Sequence, residues 1–589
     1  MTRTFWMPAC AALLISMAFA AEVPKQDIGR KLYTAKCASC HGQNGKGSPA
    51  LAMALKASQA ELNLTDEESV SEPDEKFIQV TQDGAGKMPA YKKQLSQSEI
   101  ADIALYVRSL ALAKSPAKQA KTEEPSKEPP MAEPAGAPQN ARVIIVGGGL
   151  AGLVAAYELQ NMGITAHILE ASERLGGRVA TVEYEGGLKG EYGLHEIWTG
   201  DPLYEYVKKF NIPLMNANEA ESSVYIDGKV YPFVQDSIKK YHETLFTAEE
   251  LKEYGRWLKE CERLYDVLEN KGLTPELAEL QKISFADWIK SFNLPAKAAE
   301  FIRLGTECEM AADWANAGAV YAIQQNRIFL HGSEKCFHAQ GGNKKIIEAF
   351  AQAVKGPKTL GAVVTRIVRK KKTGGGTEAV VYYQKGGVMR SMQAEKVVLA
   401  VPYHMLHAIQ MEPSLTQDQW QAVESLTPGM YSVVHFIMDT EANKFLLVDG
   451  KNPFPVLTRG PLGVVYGFPE IPPPSQKEEI FSLLIHGDYT RTYLESRDKI
   501  RERLLTELDK MWPGFSKYVH GAHFFGYHPA ATPGWAPGRS PFDSLHASLR
   551  QENVGLYLAG DYIYSSHADG AVKAGREAAK KIGKDLSVP

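Results

Sequence analysis

Apolar residues follow different rhythms along the chain, and each rhythm marks off a segment. The first is a short run, Ala9 to Phe19, behind a single early charge at Arg3. It is too short to span a bilayer and ends in Ala18-Phe19-Ala20, the small-x-small spacing of an export-signal cleavage site, so residues 1–20 read as a signal peptide. The second rhythm is helical. An amphipathic stretch from Gln26 to Tyr33 runs into Cys37, and Ser96-x-x-Glu99 is a capping box for a helix carrying Ile100, Ile103, Ala104, Val107 and Leu110 on one face. These predict a small all-α unit over residues 21–113. Between 114 and 140 no period survives, and six prolines fall between Pro116 and Pro138 among Lys, Glu and Ala. That composition predicts an extended linker, at ~3 Å per residue able to reach several tens of ångströms.

From 141 to 589 strand and helix patterns alternate. Arg142–Val146 reads as a strand, Leu150–Asn161 as a helix and Thr165–Leu169 as a second strand, a βαβ opening that predicts a Rossmann-like α/β domain. Around 247–350 the pattern turns helical. Thr247-x-x-Glu250 is a capping box, followed by Leu251, Tyr254, Leu258, Cys261, Tyr265 and Leu268 on one face. Residues 205–340 are thus expected to be a helical or mixed α+β insertion beside the dinucleotide frame. Strands are predicted again at Ala362–Val368, Glu378–Tyr383, Lys396–Ala400 and Gly555–Leu558, and a helix at Gly570–Ile582.

With 589 residues, 44% hydrophobic and 23% charged, the chain has the composition of a multidomain globular protein. A net charge of -3 gives no electrostatic reason to expect nucleic acid. The basic run Arg369-Lys370-Lys371-Lys372 abuts Gly374-Gly375-Gly376 and reads as a solvated turn. No later segment has transmembrane length without charge.

Six cysteines are present, and Cys10 leaves with the signal. Cys261, Cys308 and Cys336 read as buried apolar thiols. Cys37-Ala38-Ser39-Cys40-His41 is a C-x-x-C-H sequence, whose thiols at this spacing reach the two vinyl groups of a haem while His41 faces the iron. The distal ligand is sought among Met53 and Met88. Met88, in Gly86-Lys87-Met88-Pro89, lies far enough along to wrap to the opposite haem face, whereas Met53 sits in an Ala/Leu-rich stretch suited to packing. The unit resembles class I cytochromes c, and the resemblance implies Met88 as the sixth ligand.

Gly147-Gly148-Gly149-Leu150-Ala151-Gly152 fits G-x-G-x-x-G between a predicted strand and helix, with Glu170 ending the next strand. Gly147, Gly149 and Gly152 permit a tight turn with backbone N–H groups near a pyrophosphate, and Glu170 suits ribose hydroxyls. The stretch from Glu170 through Arg174 to Gly176, Gly177 and Arg178 resembles the E-a-x-x-r-x-G-G-R extension of flavin amine oxidases. Leu556 to Asp561 resembles that family's second flavin motif, with Gly560 and Asp561 at the ribityl or phosphate end. Gly570-Ala571-Val572 opens a helix aimed at the ring, and Val364 resembles the valine whose backbone binds adenine. The resemblance implies FAD. It also implies a non-covalent flavin, because the covalent members attach it through a cysteine near the second motif and no cysteine follows Cys336.

The resemblance implies hydride transfer from an amine to the flavin between two flanking aromatic residues. His567 falls where one is expected, and Trp535 is the candidate for the other wall. Aligning Ser432-Val433-Val434-His435-Phe436 with the strand that often carries a flavin-facing lysine puts His435 at that position. That lysine is associated with oxygen reactivity in many members, so its loss beside a fused haem implies a dehydrogenase. His195 and Glu196 are further candidates for the flavin edge. The expected protein is therefore a periplasmic flavocytochrome c amine dehydrogenase passing electrons to an external acceptor such as a soluble cytochrome or cupredoxin. A flavin desaturase of a non-amine and a redox maturation factor acting on a partner protein use the same frame, since fold does not fix substrate.

Overall fold

The computed structural model describes residues 139–586, apart from 220–221, 234–236, 330–334, 468–476 and 495–496, together with a discontinuous set between residues 32 and 107. The expected signal peptide, residues 114–138 of the proline-rich linker, Met53 and Ser96 lie outside the described residues, while Gln139–Asn140 at the expected end of the linker form a short strand paired with Met392 and Gln393. The chain divides into two compact units, residues 1–127 with 494–496 and residues 128–493 with 497–589.

In the N-terminal unit a helical turn, Ala38–His41, follows directly on Cys37, and a longer helix spans Asp74–Asp83. Its core gathers Tyr33, Cys37, Leu95, Ile100, Ile103 and Val107. Ile100, Ile103 and Val107 are three and four residues apart, so they share one helical face.

The C-terminal unit is built on a five-stranded parallel sheet. In spatial order its strands are Lys358–Thr359, Ala166–Leu169, Val143–Val146, Lys396–Leu399 and Leu556–Leu558. All four residues of Val143–Val146 are buried. A strand covered on both faces needs an unbroken apolar run, and Val-Ile-Ile-Val supplies it. Helix Leu150–Asn161 follows the first strand, and the C-terminal helix Ala568–Asp585 packs beside it. Gly575 allows that approach, because a Cβ there would lie 2.5 Å from the Ala151 carbonyl oxygen.

A seven-stranded sheet forms the other half, in the order Val519–Trp535, Leu426–Asp439, Glu478–His486, Val464–Gly467, Val456–Leu457, Ser223–Ile226 and Lys229–Tyr231. Side chains alternate across its strands. Val434, Phe436, Leu483 and Ile485 enter a core shared with Leu504 and Leu508 of helix Arg497–Met511, while Val433 and Leu484 enter the main core on the opposite face. Helices Ala248–Lys271 and Ala296–Met310 belong to that main core. The first is capped at Thr247 and Glu250 as its sequence predicts. Among the described residues no helix is long and apolar enough to cross a membrane.

Candidate active site

A cavity of about 930 Å³ opens beyond the carboxyl ends of the parallel strands. Val146, Leu169, Ala400 and Gly560, which end or follow four of those strands, line it. Open α/β sheets place ligands there because helix N-termini converge on that edge. Gly147 has φ +107°, and a Cβ on it would lie 2.5 Å from the Ala400 carbonyl oxygen. Gly149 caps the helix without a side chain, faces open space and leaves the first helical N–H groups turned to the cavity, a ready anion site. Gly152 packs back against Gly147 and does not line the cavity.

Glu170 is locked in place. One carboxylate oxygen accepts from the Gly148 N–H at 2.6 Å, the other from the Ser172 N–H at 2.8 Å and hydroxyl at 2.7 Å. Arg178 donates to both carboxylate oxygens of Asp561, at 2.6 and 2.9 Å. Gly176, Gly177, Val364 and Ala571 line the same space. Thr365 Oγ1, His528 Nε2 and Thr532 Oγ1 are buried on the lining residues with no hydrogen-bond partner among the described residues. Orphaned polar atoms of this kind call for a ligand. Together with the helix terminus and the fixed carboxylate, they fit an elongated dinucleotide.

In the N-terminal unit, the Nδ1 of His41 sits 2.9 Å from the Leu62 carbonyl oxygen. That bond fixes the tautomer with Nδ1–H donating and leaves Nε2 as a ligand atom. Burial lowers the pKa of His41, favouring the neutral ring that binds metal. Cys37 caps the helical turn and Cys40 lies within it, next to His41. The Tyr91 hydroxyl donates to the Lys36 carbonyl at 2.9 Å, tying the segment just after Met88 to the Cys37 turn. These residues fit a haem.

The far end of the main cavity is an acidic, aromatic chamber. Glu196 accepts from Trp198 Nε1 at 3.1 Å and from the Tyr466 hydroxyl at 3.3 Å, and the His195 ring stacks on Tyr466 with centroids 4.5 Å apart. Arg327 donates to Asp201 at 2.5 Å. Glu309, near the end of helix Ala296–Met310, has Oε2 3.7 Å from His567 Nε2. Burial, reinforced by Glu196, pushes the Glu309 carboxyl up to about 8. Burial holds His567 below its ordinary value, and its Nδ1 lies 3.1 Å from Ser566 Oγ. Tyr431 and Val433 add further wall from the seven-stranded sheet. All these residues belong to one continuous cavity with the dinucleotide cradle.

Residues 150–583 match the family described as flavin containing amine oxidoreductase. The chain belongs to that family. Residues 24–107 match a second family, cytochrome c oxidase, cbb3-type, subunit III, so this flavin amine oxidoreductase carries a cytochrome c domain in the same chain. Similar proteins include a lysine-specific histone demethylase 1 homolog 2 from Oryza sativa subsp. japonica, 27% identical over 54% of this chain and 40% of its own length. Another is the L-amino-acid oxidase BmooLAAO-I from Bothrops moojeni, 27% identical over 48% of this chain and 57% of its own. The chain thus spans about half the length of these relatives. Among solved structures, cyclohexylamine oxidase from Brevibacterium oxydans superposes with TM-score 0.63 at 20% identity, over 76% of this chain and 99% of that one. Putrescine oxidase bound to putrescine gives 0.62 at 19%, with the same coverage. These structures show a shared fold.

Three sequence expectations change in this flavin amine oxidoreductase. His435 does not line the cavity. It is fully buried beneath Gly190, with Nδ1 2.7 Å from the Tyr184 hydroxyl and Nε2 3.0 Å from the Glu191 carbonyl oxygen. Both ring nitrogens are used in joining the sheet to the segment over it, and Tyr431 and Val433, not His435, line the cavity. Trp535 is also buried, its indole N–H donating to His546 Nδ1 at 3.2 Å and its ring 5.0 Å from Tyr321, so it forms no wall. Val572 packs in the main core, while its neighbour Ala571 reaches the cavity. His567 and the weaker candidates His195 and Glu196 do line the chamber.

Glu309, Asp201, Arg327 and the aromatic trio Trp198, Tyr431 and Tyr466 were not singled out from the sequence. Glu309 carried a usable signal, since it lies seven residues after Ile302 and four after Gly305, in line with buried small and apolar positions of its helix. A carboxylate at an apolar-face position asks for a functional reason.

The position of His435 predicts the outcome of replacing it. In His435→Leu the Tyr184 hydroxyl and the Glu191 carbonyl each lose a buried partner, a cost of about 2–4 kcal/mol for the two. Thermal unfolding should therefore fall by several degrees. The pH dependence of flavin bleaching should stay where it was, whereas a flavin-facing residue would move it.

Proposed function

We propose that this chain is an exported amine dehydrogenase that holds FAD non-covalently, carries haem bound through Cys37 and Cys40, and passes electrons from one to the other. The observation that carries the reading is the joining, in one cavity, of a dinucleotide cradle to a chamber of carboxylates and aromatic rings. An amine arrives as a cation, and a carboxylate fixed by two donors, as Glu196 is, supplies a preorganised counter-charge. The faces of Tyr431, Tyr466 and Trp198 suit both a cation and its carbon skeleton. A purely apolar funnel would suit a desaturase instead.

When bound, FAD would accept a hydride from the carbon beside the amine nitrogen, and the haem would take up its electrons one at a time. Gly147, Gly149, Glu170, Gly176, Gly177, Arg178, Val364, Gly560, Asp561 and Ala571 would hold the flavin cofactor, with Gly152 behind the turn. His41 and Met88 would ligate the iron. Glu196 and the rings orient the amine and exclude water from it. Among the described residues the lysine lining the cavity is Lys573, 3.7 Å from Asp569, and the strand segment at Tyr431 and Val433 offers none. This supports a dehydrogenase over an oxidase. The leader-like run Ala9–Phe19 and the C-x-x-C-H motif support export to the periplasm, with a soluble cytochrome or cupredoxin as the external acceptor.

Anaerobic mixing with cyclohexylamine, putrescine, benzylamine and an L-amino acid tests this. Flavin bleaching followed by the sharp bands of ferrous haem is expected, with little oxygen uptake in air. Bleaching that leaves the haem ferric removes the relay, and no bleaching by any amine removes the amine reading.

A further inference from the structure

We infer that Glu309 is the base that takes the proton from the substrate's ammonium group, while Glu196 serves as the fixed anion that holds that group. The inference rests on the amine reading above and assigns a catalytic residue within it. A carbon can release a hydride beside nitrogen only when the nitrogen keeps a lone pair. The ammonium form, dominant at neutral pH, has none, so one N–H proton must leave before oxidation. In the step proposed here an N–H bond breaks, an O–H bond forms on Glu309, and an ion pair becomes a neutral pair. No electrons change hands.

The chamber carboxylates are not equivalent, and Asp569, two residues after His567, is already engaged by the Ser565 hydroxyl at 2.7 Å and by Lys573 at 3.7 Å. Glu196 receives a hydrogen bond on each oxygen, from Trp198 and Tyr466, which holds it in place as an anchor. Asp201 is engaged by Arg327. Glu309 has no hydrogen-bond donor on its carboxylate among the described residues, and its side chain is 24% exposed, toward the cavity. The groups acting on it come from several elements. Glu196 and Asp201 disfavour its charge, Arg327 favours it, and His567 stands 3.7 Å away on the loop leading into helix Ala568–Asp585. Cys308, Tyr431 and Tyr321 also feel its charge, and burial keeps all three protonated. Burial and Glu196 push its carboxyl up to about 8, from the carboxylate range into that of groups that exchange protons near neutrality. Two carboxylates with opposed environments divide into one anchor and one proton carrier.

The test compares wild type with Glu309→Gln and Glu309→Asp, as full-length holoprotein, by the rate of anaerobic flavin bleaching at saturating cyclohexylamine or putrescine from pH 6 to 10. The Gln variant should bleach about 100-fold more slowly at pH 7. It should recover to within about threefold at pH 10, where amines begin to shed the proton unaided. The Asp variant should keep the wild-type profile shape at reduced rate. A Gln defect of the same size at every pH, or no defect, overturns the assignment. Infrared difference spectra supply a readout independent of turnover. The wild type should lose a protonated-carboxyl C=O band with a midpoint near pH 8, and Gln should abolish it. Persistence of that band in the variant also overturns the assignment. If neither amine bleaches wild type while the band titrates as expected, the amine reading fails and the proton-carrying group at Glu309 stands.

Discussion

Arg178→Ala is expected to yield protein that emerges from gel filtration without its yellow chromophore. The guanidinium grips Asp561 with two hydrogen bonds and, with Asp561, lines the cavity where the dinucleotide motifs converge. The Asp561 side chain is only 5% exposed, so removing Arg178 strands a carboxylate in a poorly solvated place. Breaking one half of a buried pair costs about 3–5 kcal/mol, and the 39% exposure of Arg178 toward the cavity argues for the lower end. That cost falls on the fold; displacement of Asp561 and loss of any contact between Arg178 and the cofactor are expected to lower flavin affinity by about a hundredfold, equivalent to about 2.8 kcal/mol at 1.4 kcal/mol per tenfold. Arg178→Lys keeps the charge and loses the planar fork, so it should retain flavin only in part. The ratio of flavin to protein absorbance after desalting measures both. Full occupancy in the Ala variant would show that the pair is structural and lies outside the cofactor contact.

The nucleotide half was readable in the sequence because its requirements are local. A tight turn needs Gly147 at positive φ, a fully covered strand needs Val143–Val146 to be apolar throughout, and Glu170 must end the adjacent strand. Each constraint falls within a few residues, so a motif can express it. The capping box at Thr247 is legible for the same reason. The substrate chamber is not local. Glu196, Asp201, Glu309, Arg327, Tyr431, Tyr466 and His567 come from segments spread over about 370 residues, and only the packing of helices against the seven-stranded sheet brings them together. The same non-locality explains the misplacement of His435 and Trp535. His435 shares a face with Tyr431 and Val433, four and two residues before it, but the segment from Tyr184 to Glu191 packs over it there and takes both ring nitrogens. Trp535 ends a strand whose pairing with Leu426–Asp439 shifts register three times, so counting along the sequence loses its face. A buried histidine satisfied on both nitrogens looks, in sequence, the same as one aimed at a cofactor.

Cys37→Ser combined with Cys40→Ser should separate the two redox halves of the molecule without unfolding the larger one. Cys37 caps and Cys40 lies within one helical turn that also presents His41, and the turn packs in a core of its own with Tyr33, Leu95, Ile100, Ile103 and Val107. The flavin unit has separate cores and is a separate compact unit. The double variant is therefore expected to lose all haem that survives denaturation, while flavin content and the rate of anaerobic bleaching by amine stay within about twofold of wild type. Reduction of an external one-electron acceptor such as soluble ferricytochrome should fall by about 100-fold or more. A haem held on the same chain works at an effective concentration that a dilute external protein cannot match, a gain that reaches 10²–10⁴ for linked partners. The size of that fall measures what the fusion accomplishes. An undiminished rate to the external acceptor would mean that electrons leave the flavin directly, and that the cytochrome domain serves some purpose other than the relay. Loss of flavin together with haem would mean instead that the two units depend on each other to fold.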